Sequence, residues 1–200
     1  EAMREHNVPQ WAIDSCHKIK YMFPRGHAVA YVTMGLRVAW YKVYRPYAYY
    51  AAYFSIRGDG FDAAKMLLSN QTLRSRIEEF ANREEKMSIK DKQEENALHM
   101  VLEMQERGIR MLPVDLYKSH ANRFLPEEGG LRCPFTAING LGEAAIQGIL
   151  DTRDPEKPYI SIEDLQARAH VGTSVIEMLR LQGALEGLPA TSQVDLFSLL

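Results

Sequence analysis

The chain has 200 residues, 46% of them hydrophobic, and a formal net charge of −2. That suits one or two globular domains with a real core and excludes a generally basic, sticky protein. No run of about 18 apolar residues occurs, so a membrane-spanning helix is excluded and no membrane partner is expected.

In chain order, the pattern predicts a mainly α protein. A short helix covers 10–20. A long one runs from His27 to Tyr44, stopped before Pro46, and its apolar residues lie all round, as in a buried helix. A further apolar helix spans Tyr47 to Ile56 and ends at Gly58 and Gly60. The tyrosines of 41–53 read as core residues. Amphipathic helices follow at 62–69 and 72–86, parted by Ser69 to Gln71. Another spans 90–107, closed by Gly108. Residues 109–114 read as extended, 115–120 as a helical turn, and 125–133 as a loop or small hairpin rich in Gly and Pro. The domain boundary is placed there.

The segment from Lys20 to Tyr31 is the most specific in the chain. Pro24 and Gly26 break the chain just before the long helix. His27 and Tyr31 then share one face, four residues apart, with Arg25 at the mouth of the turn and Lys20 shortly before it. Cations and free backbone N–H groups take phosphates, and a ring stacks on a base, so these residues have the parts to hold a nucleoside triphosphate. The plain alternative is a capped helix with its ring in the core. Residues 15–45 carry six cations (Lys18, Lys20, Arg25, Arg37, Lys42, Arg45) and no acid, interleaved with tyrosines. That mixture suits nucleotides and single strands. The acids gathered in 78–106 read as solvated helix faces.

After the boundary, residues 134–150 fit a helix-hairpin-helix element. Gly140 and Gly142 let the backbone turn and approach a partner closely, and Leu141 plugs the core. Backbone N–H groups from Gly140 to Glu143, with Asn139 beside them, then point outward at a helix start, where an anion is favoured. A DNA phosphate is the usual anion, and that contact reads no sequence. A second, divergent copy has one helix from Ile162 to Ala169, capped by Ser161 with Asp164 at N3. Its hairpin includes Gly172 and Thr173, and its second helix runs from Ser174 to Gln182. The alternative is a four-helix module without a ligand.

With these residues read, the chain from Glu1 to Leu200 resembles the C-terminal end of a PolC-type bacterial DNA polymerase III α subunit, the replicative polymerase of low-GC Gram-positive bacteria. The carrying residues are Val8 to Trp11, Ile13 to Cys16, Lys18 to Pro24, His27-Ala28, Ala30-Tyr31, Tyr49 to Ala51, Tyr53-Phe54 and Ile56-Arg57. Gly26 departs from the family, which more often has Ala there. The resemblance implies residues 1–124 as the C-terminal part of the polymerase fingers, 125–189 as a tandem helix-hairpin-helix duplex-binding domain, and 190–200 as a tail. It implies that Lys20, Arg25, His27 and Tyr31 face the incoming nucleotide. It also implies that Gln193, Leu196 and Phe197 form an anchor for the sliding clamp, with Leu196 and Phe197 filling an apolar pocket.

No catalytic set is visible. The paired carboxylates that hold two Mg²⁺ in a polymerase are missing, so the resemblance places the Mg²⁺ ligands in preceding sequence. His6, His17, His99, His120 and His170 stand alone in sequence, and Cys16 and Cys133 match no metal spacing. The start lacks a signal peptide and an initiator Met, which suits a fragment of a longer, cytoplasmic chain. Expected partners are primer–template DNA, deoxynucleoside triphosphates, the clamp and replisome proteins. A non-enzymatic helix-hairpin-helix module of a repair protein and a helical interaction scaffold without nucleic acid stay open as alternatives.

Overall fold

The computed structural model describes residues 2–19, 25–83 and 86–192. It divides into two compact units, residues 1–44 and 45–200. The first contains α1 (Ala2–Glu5), α2 (Gln10–Lys18) and α3 (Arg25–Tyr44). Ile13 on α2 is buried. The expectation that the long helix is buried does not hold in this chain. Val29, Val32, Met34, Leu36, Val38 and Val43 of α3 are each about half exposed or more. Apolar density all round a helix shows that the helix needs cover, not that this chain supplies it.

In the second unit, Pro46 opens α4 (Pro46–Arg57) at its first turn, where its missing N–H is not needed. Side chains cap the next three starts. Asp62 accepts from the Ala64 N–H for α5 (Ala63–Met66), and Ser69 accepts from Thr72 for α6 (Asn70–Ala81). Ser88 and Asp91 form a capping box for α7 (Ile89–Glu106). The helix expected at 62–69 is therefore one turn, and the one expected at 72–86 starts earlier and stops at Ala81. Helices α6 and α7 pack face to face, with Leu73, Leu98, Val101 and Met104 fully buried. Tyr50 and Phe54 of α4 are buried and Tyr47, Tyr49 and Tyr53 pack beside them, whereas Tyr41 and Tyr44 are exposed.

Three short strands follow: β1 (Arg110–Leu112), β2 (Leu125–Glu127) and β3 (Gly130–Arg132), in the order β1-β3-β2. β3 runs antiparallel to β2 and parallel to β1. That pairing straddles residue 125, so the structure does not divide at the expected boundary. It divides between Tyr44 and Arg45. One continuous core links Tyr50 and Leu98 to Leu131, Phe135, Ile149, Leu165 and Leu179. A 3-10 helix (Phe135–Ala137) leads into α8 (Glu143–Thr152), α9 (Ile162–Ala169) and α10 (Thr173–Leu181).

The crossing between β1 and β2 is held by His120. Its Nδ1 lies 3.2 Å from the Asn122 N–H and 3.3 Å from that of Arg123, while the Arg123 guanidinium reaches Nε2 at 2.9 Å. A charged ring would carry N–H groups on both sides and meet donors on both. Burial first, then the Arg123 and Arg153 charges, hold its pKa below the usual imidazole range. The folded state thus disfavours the proton that the unfolded chain accepts. The resulting stability is full above the ordinary value of about 6.5 and is lost as pH falls through the lower folded value. Melting followed from pH 8 to 5 is expected to show this loss in the wild type and a flatter profile in His120→Gln. Equal profiles would contradict it. Asp91 and Glu127, both lowered chiefly by hydrogen bonds, act in a more acidic window.

Candidate nucleic-acid interface

At the first hairpin, Ile138 is buried, Gly140 takes φ +86°, Leu141 is buried, and Gly142 is the N-cap of α8 at φ −73°, ψ 150°. At the second, His170 takes the left-handed conformation at φ 54°, ψ 42°, and Val171 is buried. Gly172 is the N-cap of α10 at φ −82°, ψ 172°. The two hairpins match at a constant offset: 140 with 170, 142 with 172, 146 with 176, 149 with 179. Burial follows the same order of buried, half-buried and exposed residues through 141–149 and 171–179. The Gly142 carbonyl accepts from the Ala145 and Ile146 N–H groups, and the Gly172 carbonyl from those of Val175 and Ile176, at 3.1–3.2 Å.

The offset also governs the packing. A Cβ on Gly140 would lie 3.4 Å from Met178, and one on Gly148 would lie 2.2 Å from the Ala169 carbonyl oxygen. Gly148 and Met178 are partners at the same offset, as are Gly140 and His170. Each hairpin therefore meets the other copy's helix, which is an approximate two-fold arrangement. The second hairpin lacks the first glycine of the pattern because His170 adopts the left-handed turn in its place. His can take that conformation, though at a cost glycine avoids. The copy is less degraded than its glycines imply.

Neither glycine-capped start has a side-chain cap. Backbone donors at the first turns of α8 and α10 are thus left for an outside acceptor or water, and the helix dipole makes that acceptor an anion. Asn139, Gly140, Gly142, Glu143, Gly172 and Thr173 are exposed, whereas Leu141 is buried and serves as the plug. Glu143 puts an acid in the first turn of α8, while α10 has none there and adds the Thr173 and Ser174 hydroxyls. The second start is therefore at least as suited to an anion as the first.

Two arginines tie down the connection between the hairpins. Arg153 donates to the Leu116 and Ser119 carbonyls at 3.1 and 2.6 Å. Arg168 donates to the Thr152 carbonyl at 2.6 Å, pairs with Asp164 at 3.2 Å and lies 4.5 Å above the Tyr159 ring. Of the residues in this connection only Asp164 carried a sequence signal, as the N3 partner of Ser161; the close approach at Gly148 was marked only by a glycine inside a helical pattern.

The nucleotide candidates are reached in part. His27 and Tyr31 do share a face of α3, with ring centroids 4.3 Å apart, and Tyr31 is 69% exposed. That favours a reachable ring over a core one. Lys20 and the side chain of Arg25 lie outside the described residues, as do Gln193, Leu196 and Phe197. Among the described residues no group of His, Cys, Asp and Glu could hold a metal ion, and no helix is long and apolar enough to cross a membrane.

A family model described as a helix-hairpin-helix motif matches residues 108–193. Near-complete alignments reach further. PolC-type DNA polymerase III of Clostridium perfringens is 46% identical over 195 residues, 98% of this chain and 13% of that protein. The chain matches PolC-type DNA polymerase III along nearly its whole length. The Thermotoga petrophila PolC-type polymerase is 45% identical over 195 residues, and that of Bacillus cereus 45% over 197. Each alignment covers 98% of this chain and 14% of the relative. The chain thus spans about one-seventh of the length of these PolC-type relatives, and the resemblance stated for the whole chain from Glu1 to Leu200 is borne out.

Proposed function

We propose that this chain is the substrate-gripping part of a replicative DNA-directed DNA polymerase, and that its paired hairpins hold duplex DNA by the backbone. One observation carries this reading. Two helices start on exposed glycines without side-chain caps, in matching copies that each pack on the other's helix. Each start can take one phosphate without reading a base. The PolC-type likeness across α2 and α3 as well as the hairpins favours a polymerase over a stand-alone repair module. Titration of duplex with a Gly142→Asp, Gly172→Asp double variant tests it.

The fingers role belongs to the segment around α3. In this reading Lys20 and Arg25 take the triphosphate, and His27 and Tyr31 take the nucleoside, with Tyr31 stacked on the base. Losing one stacked base contact costs about 1–3 kcal/mol. In a longer polymerase carrying this segment, Tyr31→Ala is expected to raise the apparent KM for nucleotides or lower kcat, with duplex affinity unchanged. Wild-type kinetics would reject the site. Nucleotidyl transfer itself needs Mg²⁺ on paired carboxylates. The described residues do not fit such ions, so the reading assigns the ligands to the rest of a longer, cytoplasmic chain.

The tail reading rests on sequence alone. Gln193, Leu196 and Phe197 are assigned to the bacterial sliding clamp, linking the enzyme to the replisome. Burying Leu196 and Phe197 is worth about 1.5–3 kcal/mol each. A Leu196→Ala, Phe197→Ala peptide is therefore expected to lose clamp binding in a direct titration. Equal affinity would show a chance match.

A further inference from the structure

Helix α3 is an uncovered apolar rod. Its large apolar residues do not form a stripe. At about 100° per residue, Val32 and Leu36 fall on one side and Met34 and Val38 on the opposite side, and all four are about half exposed or more. A helix in water normally confines such residues to one face. Two classes of occupant fit poorly. Nucleic acid offers phosphates and base faces, which aliphatic Val, Met and Leu neither stack on nor hydrogen-bond. A second copy in a helix pair would cover one seam, as in a coiled coil, and leave the far side wet. Cover on both sides requires several elements of a larger body. The relatives are long enough to supply such a body, since the matched region is only 13–14% of their chains.

We infer that α3 is a central helix of a larger fingers body, enclosed on both sides by apolar elements of the PolC-type chain that lie outside these 200 residues. The identity of the occupant rests on the polymerase reading. The enclosure rests on the distribution of apolar residues. Tyr31 and His27, near the start of the same helix, would then be held rigidly by the enclosure, and the aliphatic residues further along would serve only to hold them.

The test is cysteine labelling. In a Cys16→Ser background, which removes the exposed thiol and leaves the buried Cys133, Val32, Met34, Leu36 and Val38 are changed singly to Cys. Each is treated with a maleimide, first in the 200-residue chain and then in the Clostridium perfringens polymerase with this chain in place of its matching segment. Labelling is expected in the chain alone and roughly tenfold slower, or slower still, in the chimera at all four positions. Fast labelling in the chimera overturns the enclosure, and protection on one side only overturns it in favour of a one-sided dock. Protection already present in the chain alone, whether or not it varies with protein concentration, also overturns it. Primer extension by the chimera is read separately. Its failure counts against the polymerase reading, while labelling still decides the enclosure. As a second measure, Leu36→Asp is expected to lower the melting temperature of the chimera and leave that of the chain alone unchanged. The reverse overturns the proposal.

Discussion

Gly148→Ala is expected to destabilise the chain by about 2 kcal/mol, although Ala is the better helix former. The two effects oppose each other. Helix propensity favours Ala by about 1 kcal/mol at an interior position. Packing works against it, because the new Cβ would stand 2.2 Å from the Ala169 carbonyl oxygen and 3.2 Å from its carbon. Both are backbone atoms at the C-terminus of α9, so neither can swing aside. Helix α8 must move away from the second hairpin by about 1 Å, and close-packed interiors resist such shifts. For a chain of this size, about 2 kcal/mol corresponds to a fall in Tm of roughly 6 °C. Gly140→Ala provides a contrast. Its Cβ would rest at 3.4 Å from the flexible end of Met178, and the cost comes from φ +86°, about 1 kcal/mol. Wild-type stability in Gly148→Ala would contradict the close approach on which the two-fold arrangement depends.

Much of the helical architecture was readable from the sequence because its signals are local. Pro46, Gly108 and Ser161 mark helix ends through features formed within a few residues, whereas the Ser88–Asp91 cap starts α7 one residue before the expected start at Lys90. The first hairpin was readable for the same reason, since Gly140 and Gly142 encode its turn directly. Three features were not readable, and each depends on something distant in sequence. The parallel pairing of β1 with β3 joins residues twenty apart and erases a boundary that Pro126 and Gly129 suggest. The strength of the second hairpin is hidden because His170 does a glycine's work. The exposure of α3 was missed because an apolar helix carries no mark of who covers it. The nucleotide candidates were readable only through the resemblance. Geometry adds the His27–Tyr31 ring contact and nothing on Lys20.

The central claim is that the two glycine-capped helix starts hold duplex DNA by its phosphates. Gly142 and Gly172 are suited to testing it, because a Cβ at either meets nothing within 4 Å and neither has a positive φ. Asp is among the best N-caps. A Gly142→Asp, Gly172→Asp variant should therefore fold at least as stably as the wild type. Its carboxylates would occupy the N–H groups offered to phosphate and repel the phosphate itself. Hydrogen bonds to a charged partner are worth about 1.5–3 kcal/mol each, so duplex affinity is expected to fall by roughly tenfold or more. The loss should be equal for unrelated sequences, since phosphates carry no base information. A Ser69→Asp, Gln71→Glu variant, which adds the same two negative charges at a helix start elsewhere, controls for net charge. The decisive measurement is duplex affinity at fixed salt for the wild type, the double variant and this control, each with its melting temperature. The account predicts a large, sequence-independent loss in the double variant alone, with Tm unchanged or raised. Unchanged affinity in the double variant, or a loss confined to particular sequences, would contradict it.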